Sequence, residues 1–145
     1  MSEFPVTILL VEDQASDADL VIRALKRSGV TARIDRVHDG VEALDYLLAA
    51  AARGRAALPH LVLLDYKLPK LNGVEVLTRV RADARLRTLV LVMLTSSEEP
   101  RDLADAYAAG VNSYVVKPVA FDAFLDTLER LAHYWLTVNQ QPHLE

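Results

Sequence analysis

The chain has 145 residues, of which 52% are hydrophobic and 25% are charged, and its formal net charge is −4 at pH 7. This length is enough for one domain with its own core, and the acidic balance argues against direct binding to DNA or RNA. Because the sequence has no cysteine, no basic leader and no apolar run long enough to cross a membrane, we exclude disulfides and cysteine-bound zinc and expect a cytoplasmic protein without a membrane segment.

The first half of the sequence alternates short apolar runs with helical patterns. A strand is predicted at residues 6–11 and a helix at residues 16–27, where apolar side chains recur one turn apart. Residues 32–37 alternate apolar and polar side chains, which is typical of an edge strand. Residues 41–52 are rich in alanine and leucine and predict a second helix.

The second half of the chain repeats this alternation. The predicted elements are, in order, a strand at residues 61–64, a helix at 74–84, a strand at 89–94, a helix at 101–109, a strand at 113–116 and a helix at 121–137. Gly110 directly follows the helix at 101–109 and is a typical residue to end it. The whole chain therefore predicts a series of strand–helix units.

The predicted strands are mostly apolar without alternation, which is typical of a parallel sheet covered by helices on both faces. Alternating strands and helices predict the same architecture. We therefore expect a single α/β domain over residues 1–145, with a core at about residues 5–138 and a short tail at residues 139–145.

Polar side chains follow four of the predicted strands. Glu12 and Asp13 follow the first strand, Asp65 the third, Thr95 the fourth and Lys117 the fifth. Each residue alone is explained by a simpler role, such as capping the next helix. Because ligands of an open parallel sheet bind at the carboxyl ends of the strands, the whole set predicts one site at that edge.

This predicted site has the chemistry to handle a phosphoryl group. Clustered carboxylates repel one another unless a cation lies among them. Oxygen ligands in a shallow, hydrated position favour Mg²⁺ over Ca²⁺, because Mg²⁺ keeps several of its waters. With a metal ion present, Lys117 and the Thr95 hydroxyl are suited to bind phosphoryl oxygens.

Four short motifs carry a resemblance to a known family: VED at residues 11–13, LLDYKLPKLNG at 63–73, LTSS at 94–97 and YVVKP at 114–118. In this order and spacing, over nearly the full chain, they resemble the receiver domain of two-component response regulators. The resemblance implies a flavodoxin-like, doubly wound parallel sheet of five strands in the order 2-1-3-4-5.

The resemblance also implies which residues act in phosphorylation. Asp65 matches the phosphoacceptor. Asp13 and Glu12 match the acidic pair that holds Mg²⁺, with Glu12 acting through water. Asp65 itself and the backbone carbonyl of Lys67 match the remaining protein ligands of the metal.

Further matches concern the switch that follows phosphorylation. Thr95 matches a switch hydroxyl, and Tyr114 matches an aromatic side chain that changes rotamer with it. Lys117 matches the lysine that pairs with the phosphoryl group, and its bond to Pro118 matches a cis peptide. These roles are implied by the resemblance alone.

The resemblance implies a stand-alone phosphoprotein that works as a switch and not as an enzyme with turnover. A sensor histidine kinase is the implied phosphodonor. The surface of the fourth helix, fifth strand and fifth helix is expected to bind a further, unidentified protein, since few residues follow the last helix. Residues 49–61 and 131–139 are similar to the group associated with bacterial phytochromes, so a bacteriophytochrome is the expected kinase.

The end of the last predicted helix carries more apolar side chains than one core-facing stripe uses. Tyr134, Leu136 and Val138, beside Trp135, form this cluster, and such a cluster is typical of an interface. We therefore expect a homodimer through this end. The alternative is that these side chains pack on the lower edge of the sheet or on Phe4.

Three other classes share part of the pattern. Haloacid-dehalogenase-type phosphatases need a second aspartate two residues after the first, where this chain has Lys67. Flavodoxin-type FMN binders need a phosphate loop rich in glycine and hydroxyls, where this chain has Glu12 and Asp13. A receiver-like scaffold that is never phosphorylated usually lacks the acceptor or an acidic partner, and both are present here.

Overall fold

The structure is a computed structural model that describes residues 6–29 and 31–141. The strands are β1 (Thr7–Val11), β2 (Arg33–Val37), β3 (Leu61–Leu64), β4 (Leu91–Thr95) and β5 (Ser113–Val116). The helices are α1 (Ala15–Arg27), α2 (Gly40–Arg53), α3 (Gly73–Ala82), α4 (Pro100–Ala108) and α5 (Phe121–His133). A 3₁₀ turn (Arg55–Ala57) follows α2, and a π-helical segment (Tyr134–Val138) follows α5. The suggested contact with Phe4 and the last residues of the predicted tail, 142–145, lie outside the described residues.

The strands form one parallel sheet in the order β2-β1-β3-β4-β5, which confirms the predicted flavodoxin-like topology. The register aligns Val11 with Leu64, and Leu64 with Met93. Val116 of β5 lies beside Thr95 of β4. The strands therefore end at a common edge, where the residues that follow them are brought together.

Each face of the sheet carries its own core. Ile8 belongs to the core under α1 and α5, whereas the next residue, Leu9, belongs to the core under α2 and α3. Every residue of β3 and β4 is buried, as their apolar runs predict. Burying one such side chain stabilises the fold by about 1.5–3 kcal/mol, so the sheet is a rigid support for the residues at its edge.

The start of α3 lies against the end of β3. Asn72 and Glu75 form a reciprocal capping box, in which the two side chains bond to each other's backbone amides at 2.9 and 3.1 Å. A Cβ atom on Gly73 would lie 2.6 Å from the carbonyl oxygen of Asp65. Only glycine allows this close approach, which fixes the loop that follows Asp65.

Most predicted element ends differ from the observed ones by one or two residues, but the last helix is an exception. The helix expected to run to residue 137 ends at His133, and the chain continues as the π-helical segment. The Thr137 hydroxyl donates to the carbonyl of His133 at 2.5 Å, and the amide of Asn139 bonds to the carbonyl of Tyr134 at 2.7 Å. This bond spans five residues and widens the turn.

Candidate functional site

The residues predicted to form a site do lie together at the edge where the strands end. Glu12 directly follows β1, Asp65 follows β3, Thr95 ends β4 and Lys117 follows β5. The parallel register places these four positions side by side. The sheet therefore builds one constellation from residues that are far apart in sequence.

Lys117 lies at the centre of this constellation. Its Nζ is 3.1 Å from Oε1 of Glu12 and 3.3 Å from Oδ2 of Asp65. The carboxylate of Asp17, in the first turns of α1, is 4.0 Å away. Burial by itself lowers the pKa of Lys117, but the carboxylates of Asp65 and Glu12 outweigh burial and raise it. The lysine is therefore a cation that two strand-end carboxylates hold in place.

Glu12 is a buried acid, with 3% of its surface exposed. Burial raises the pKa of its carboxyl, whereas Lys117 and a hydrogen bond from the amide of Gln14, at 3.2 Å, lower it. The backbone of Glu12 is held by β2: its amide bonds to the carbonyl of Val37, and its carbonyl accepts from Nε of Arg36, each at 3.1 Å. Side chain and backbone are thus both fixed.

Asp65, the predicted phosphoacceptor, is held at both carboxylate oxygens. Oδ1 accepts the backbone amide of Tyr66 at 2.7 Å, and Oδ2 accepts Lys117. The loop then closes where the amide of Gly73 bonds to the carbonyl of Tyr66 at 2.8 Å. With 17% of its side chain exposed, Asp65 is fixed in position and still open to solvent.

Thr95 and Tyr114, the predicted switch residues, are linked through Ser97. Thr95 is buried, and its Oγ1 accepts the amide of Ser97 at 3.3 Å. The Tyr114 hydroxyl donates to the carbonyl of Ser97 at 2.9 Å. The amide of Lys117 bonds to the carbonyl of Thr95 at 2.7 Å, so these residues belong to one hydrogen-bonded network.

A cavity of about 450 Å³ opens in front of Asp65. Its lining consists of Asp65, Lys67, Thr95, residues 96–100 and Asp102. Cavities of a few hundred cubic ångström accept small ligands. The acceptor carboxylate is therefore accessible to a donor group from this side.

Lys117 forms ion pairs with three carboxylates, the ligand type that Mg²⁺ and other hard cations take. Glu12 and Asp65 meet around the ammonium of Lys117, which compensates part of their negative charge. Asp13 is the next residue along, and its Oδ2 lies 3.3 Å from Nε2 of Gln14. Across residues 6–29 and 31–141, no three acidic, histidine or cysteine side chains are grouped closely enough to hold a metal ion as they stand. Asp13 therefore has to turn toward the other two acids to complete such a site.

One predicted feature is wrong. The bond between Lys117 and Pro118 is trans, because no peptide bond among the described residues is cis. The trans form of an X–Pro bond is favoured by about 0.5–1 kcal/mol. Lys117 reaches Glu12 and Asp65 from this trans backbone, so the contacts at the site do not require the cis form.

Two residues of the site were missed in the sequence. Asp17 lies in the first turn of α1, the helix that begins just after Glu12 and Asp13, and this position indicates the same edge of the sheet. Arg36 binds a backbone carbonyl, which has no counterpart in the side-chain pattern. The place of Asp17 was predictable from its nearness to the start of the first helix, whereas the contact of Arg36 was not.

Comparison with known proteins identifies similar chains. A family model described as the response regulator receiver domain matches residues 8–129. The probable methanogenesis regulatory protein FilR2 of Methanothrix harundinacea is 45% identical over 141 residues, which are 97% of this chain and 90% of that protein. The phosphorylated cyanobacterial phytochrome response regulator RcpA has a TM-score of 0.87 and 33% identity, over 95% of this chain and 99% of that one.

A second solved structure shares this similarity. The Mn²⁺-bound form of response regulator Rcp1, a protein of Synechocystis, has a TM-score of 0.85 and 31% identity over 96% of this chain and 100% of that one. One similar chain was thus solved with a divalent metal and another in phosphorylated form. In the described part of the chain, every helix is too short or too polar to cross a membrane.

Proposed function

Because this chain belongs to the response regulator receiver family, whose members are phosphoacceptors in two-component signalling, we propose that Asp65 accepts a phosphoryl group from a sensor histidine kinase. The observation that carries this proposal is the contact of the Lys117 ammonium with both Asp65 and Glu12 at the sheet edge. A phosphoryl group on Asp65 adds negative charge beside this cation. The outcome is a modified state of the protein, and not turnover of a substrate.

The proposed transfer moves phosphorus from nitrogen to oxygen. A carboxylate oxygen of Asp65 attacks the phosphorus of a phosphohistidine, the P–N bond breaks, and the imidazole leaves as it takes a proton from solvent. Lys117 is close enough to Asp65 to bind a phosphoryl oxygen, and the Thr95 hydroxyl is suited to donate to another. Water later attacks the phosphorus, which releases inorganic phosphate and restores the carboxylate.

We propose Mg²⁺ as the metal, held by Asp13, Glu12, Asp65 and the carbonyl oxygen of Lys67. When bound, it supplies positive charge against the transferring oxygens. The carboxylate pair around Lys117 and the Mn²⁺-bound form of Rcp1 support a divalent cation. The oxygen-only donor set suits hard cations such as Mg²⁺.

The proposed output surface is the face of α4, β5 and α5. Thr95 and Tyr114 both bond to Ser97, which supports a linked movement of the two. Two exposed apolar side chains of α4, Leu103 and Tyr107, offer contacts for a partner protein. The linked movement of Thr95 and Tyr114 would change the positions of these apolar side chains on the output surface.

The partners follow from similarity. We propose a cytoplasmic, stand-alone regulator, and the similarity to the phytochrome response regulator RcpA supports a phytochrome as its kinase. FilR2, by contrast, is named for the regulation of methanogenesis.

For self-association, Tyr134 and Val138 are 47% and 53% exposed, whereas Trp135 and Leu136 pack partly against the core under α1 and α5. We therefore propose a homodimer centred on Tyr134 and Val138.

The replacement Asp65→Asn tests the central proposal, because it removes the nucleophile and keeps the shape of the side chain. We expect the wild type to take up a phosphoryl group from phosphoramidate in the presence of Mg²⁺, and D65N to take up none. Intact-mass spectrometry measures the uptake. Removing the metal with EDTA should suppress uptake by the wild type.

The matched control is Asp126→Asn, which changes an exposed aspartate of α5. This variant should be phosphorylated as fast as the wild type. Full phosphorylation of D65N would mean that the acceptor is another residue and would refute the proposal.

A further inference from the structure

The β4–α4 loop (residues 96–99) is bonded through three groups of Ser97. Its amide donates to Oγ1 of Thr95 at 3.3 Å, and its carbonyl accepts from the Tyr114 hydroxyl at 2.9 Å. Its hydroxyl donates to Oδ2 of Asp102 at 2.6 Å and also accepts the amide of Glu99 at 3.3 Å. Ser97 is therefore joined to the end of β4, to β5 and to the first turn of α4.

Helix α4 has few other anchors. Ala106 is its only buried residue, and the residue before the helix, Glu99, makes no capping bond through its side chain. Helices α1, α2 and α3 each bury four residues, by contrast. A helix with so little apolar burial is the kind of element that opens or moves most easily. A short hydrogen bond to a carboxylate therefore contributes much of what holds its first turn.

Asp102 also faces the loop that follows the acceptor. It lines the same cavity as Asp65. The pKa of Tyr66 is raised by burial and also by the carboxylate of Asp102, so the Tyr66 ring lies near that carboxylate. The amide of Tyr66 bonds to Oδ1 of Asp65 at 2.7 Å, so Asp102 connects the first turn of α4 with the loop that carries the acceptor.

We propose that Asp102 is a positioning residue, which holds the start of α4 against Ser97, and that a change at the acceptor reaches α4 through this Ser97–Asp102 bond. The second half of this inference rests on the proposed function. A phosphoryl group that attracts the Thr95 hydroxyl weakens the bond between Thr95 and the Ser97 amide. Ser97 is then free to shift, and its bond to Asp102 transmits this shift to α4 while its bond to Tyr114 transmits it to β5.

The pair of variants Asp102→Ala and Asp105→Ala tests the positioning role. Both remove one negative charge from α4, but the exposed side chain of Asp105 forms no hydrogen bond within the described residues. Hydrogen–deuterium exchange of peptides covering residues 97–104 is the measurement. We expect exchange in D102A to be about tenfold faster than in the wild type, and D105A to match the wild type.

This comparison needs no phosphoryl chemistry, so it tests the positioning role whether or not Asp65 is the acceptor. Equal exchange in D102A and the wild type would overturn it. Ser97→Ala removes the same hydrogen bond from its donor side. If both residues act through that bond, the effect of the double variant S97A/D102A on exchange should be smaller than the sum of the two single effects, and fully additive effects would contradict the pairing.

The transmission step is tested with beryllofluoride and Mg²⁺, a phosphoryl mimic whose uptake is followed by fluorine NMR. In the wild type and D105A, the mimic should change the exchange of residues 97–104. In D102A the mimic should bind without a further change in that segment. A wild-type response of α4 in D102A would refute transmission through Asp102. If the wild type itself fails to take up the mimic, the proposed function fails, while the comparison without the mimic still decides the positioning role.

Discussion

His60 joins the start of β3 to β1. Its Nδ1 accepts the amide of Thr7 at 3.2 Å, and its own amide donates to the carbonyl of Thr7 at 2.8 Å. Burial lowers the pKa of His60 below its usual value of 6.5. A protonated ring has no acceptor at Nδ1, so the folded state binds the proton more weakly than the unfolded chain. Stability should therefore fall as the pH drops below about 6.5 and continue to fall until the pKa of the folded state is reached.

The replacement His60→Asn tests this dependence, because the amide oxygen of asparagine can accept the Thr7 amide and does not titrate. We expect the wild type to lose stability relative to H60N as the pH is lowered from about 7.5 to about 5.5. Urea unfolding at several pH values measures the difference. Parallel losses in the two proteins would mean that His60 does not contribute to the pH dependence.

The residues that meet at the sheet edge could be predicted individually. Glu12, Asp65 and Lys117 each directly follow an apolar run, and the parallel order of the strands is enough to bring them together. Arg36 could not be predicted, because it contacts a backbone carbonyl that every residue possesses. The isomer of the bond before Pro118 could not be predicted from the sequence either, since both the cis and the trans form of an X–Pro bond are accessible.

At the scale of elements, the last turn of α3 is tied to two loops by Arg81. Its guanidinium donates to the carbonyls of Gly110, Arg87 and Leu89 and to Oδ1 of Asn112, over distances of 2.7–2.9 Å. Burial lowers the pKa of Arg81, and no carboxylate pairs with it in the described part of the chain. The side chain therefore works as a clamp on backbone groups.

We expect Arg81→Ala to lower the free energy of unfolding by about 3 kcal/mol, because it breaks several charge-assisted hydrogen bonds at once and leaves carbonyls without donors. Arg79→Ala is the matched control, since Arg79 is exposed on the same helix and makes one long bond of 3.4 Å. That control should change stability by less than about 0.5 kcal/mol. Urea unfolding measures both, and similar losses in the two variants would contradict the clamp.

The order and type of the elements were predictable because apolar runs and helical spacing alternate along the whole chain. The end of α5 was not predictable, because the apolar spacing of the sequence continues past His133, where the helix ends. The π-helical turn is accompanied by a bond from the Thr137 hydroxyl to the carbonyl of His133. A threonine at this position does not by itself reveal that its hydroxyl competes for that carbonyl.

At the scale of the whole molecule, the double replacement of Tyr134 and Val138 by glutamate tests self-association. Both side chains are exposed, whereas Leu136 packs partly against the protein's own core and is better left unchanged. If the dimer forms here, the charges should yield a folded monomer, because burying unpaired carboxylates is costly. Sedimentation velocity at tens of micromolar measures the oligomeric state.

The control introduces the same two charges on α2, at Val41 and Leu48, whose exposure is 40% and 39%. This variant should remain dimeric. A wild type that sediments as a monomer, both with and without beryllofluoride, would contradict the proposed interface.

Trp135 is the only tryptophan in the sequence. Its ring meets that of Tyr134 edge-on, with centroids 4.9 Å apart and planes at 88°. It lies some fourteen residues beyond the start of α5, about 20 Å along the helix. All indole emission of this protein therefore originates beside the proposed interface and far from Lys117. When the protein concentration is raised, a shift in the emission maximum or weaker quenching by iodide would show that a second copy covers Tyr134, without any added dye.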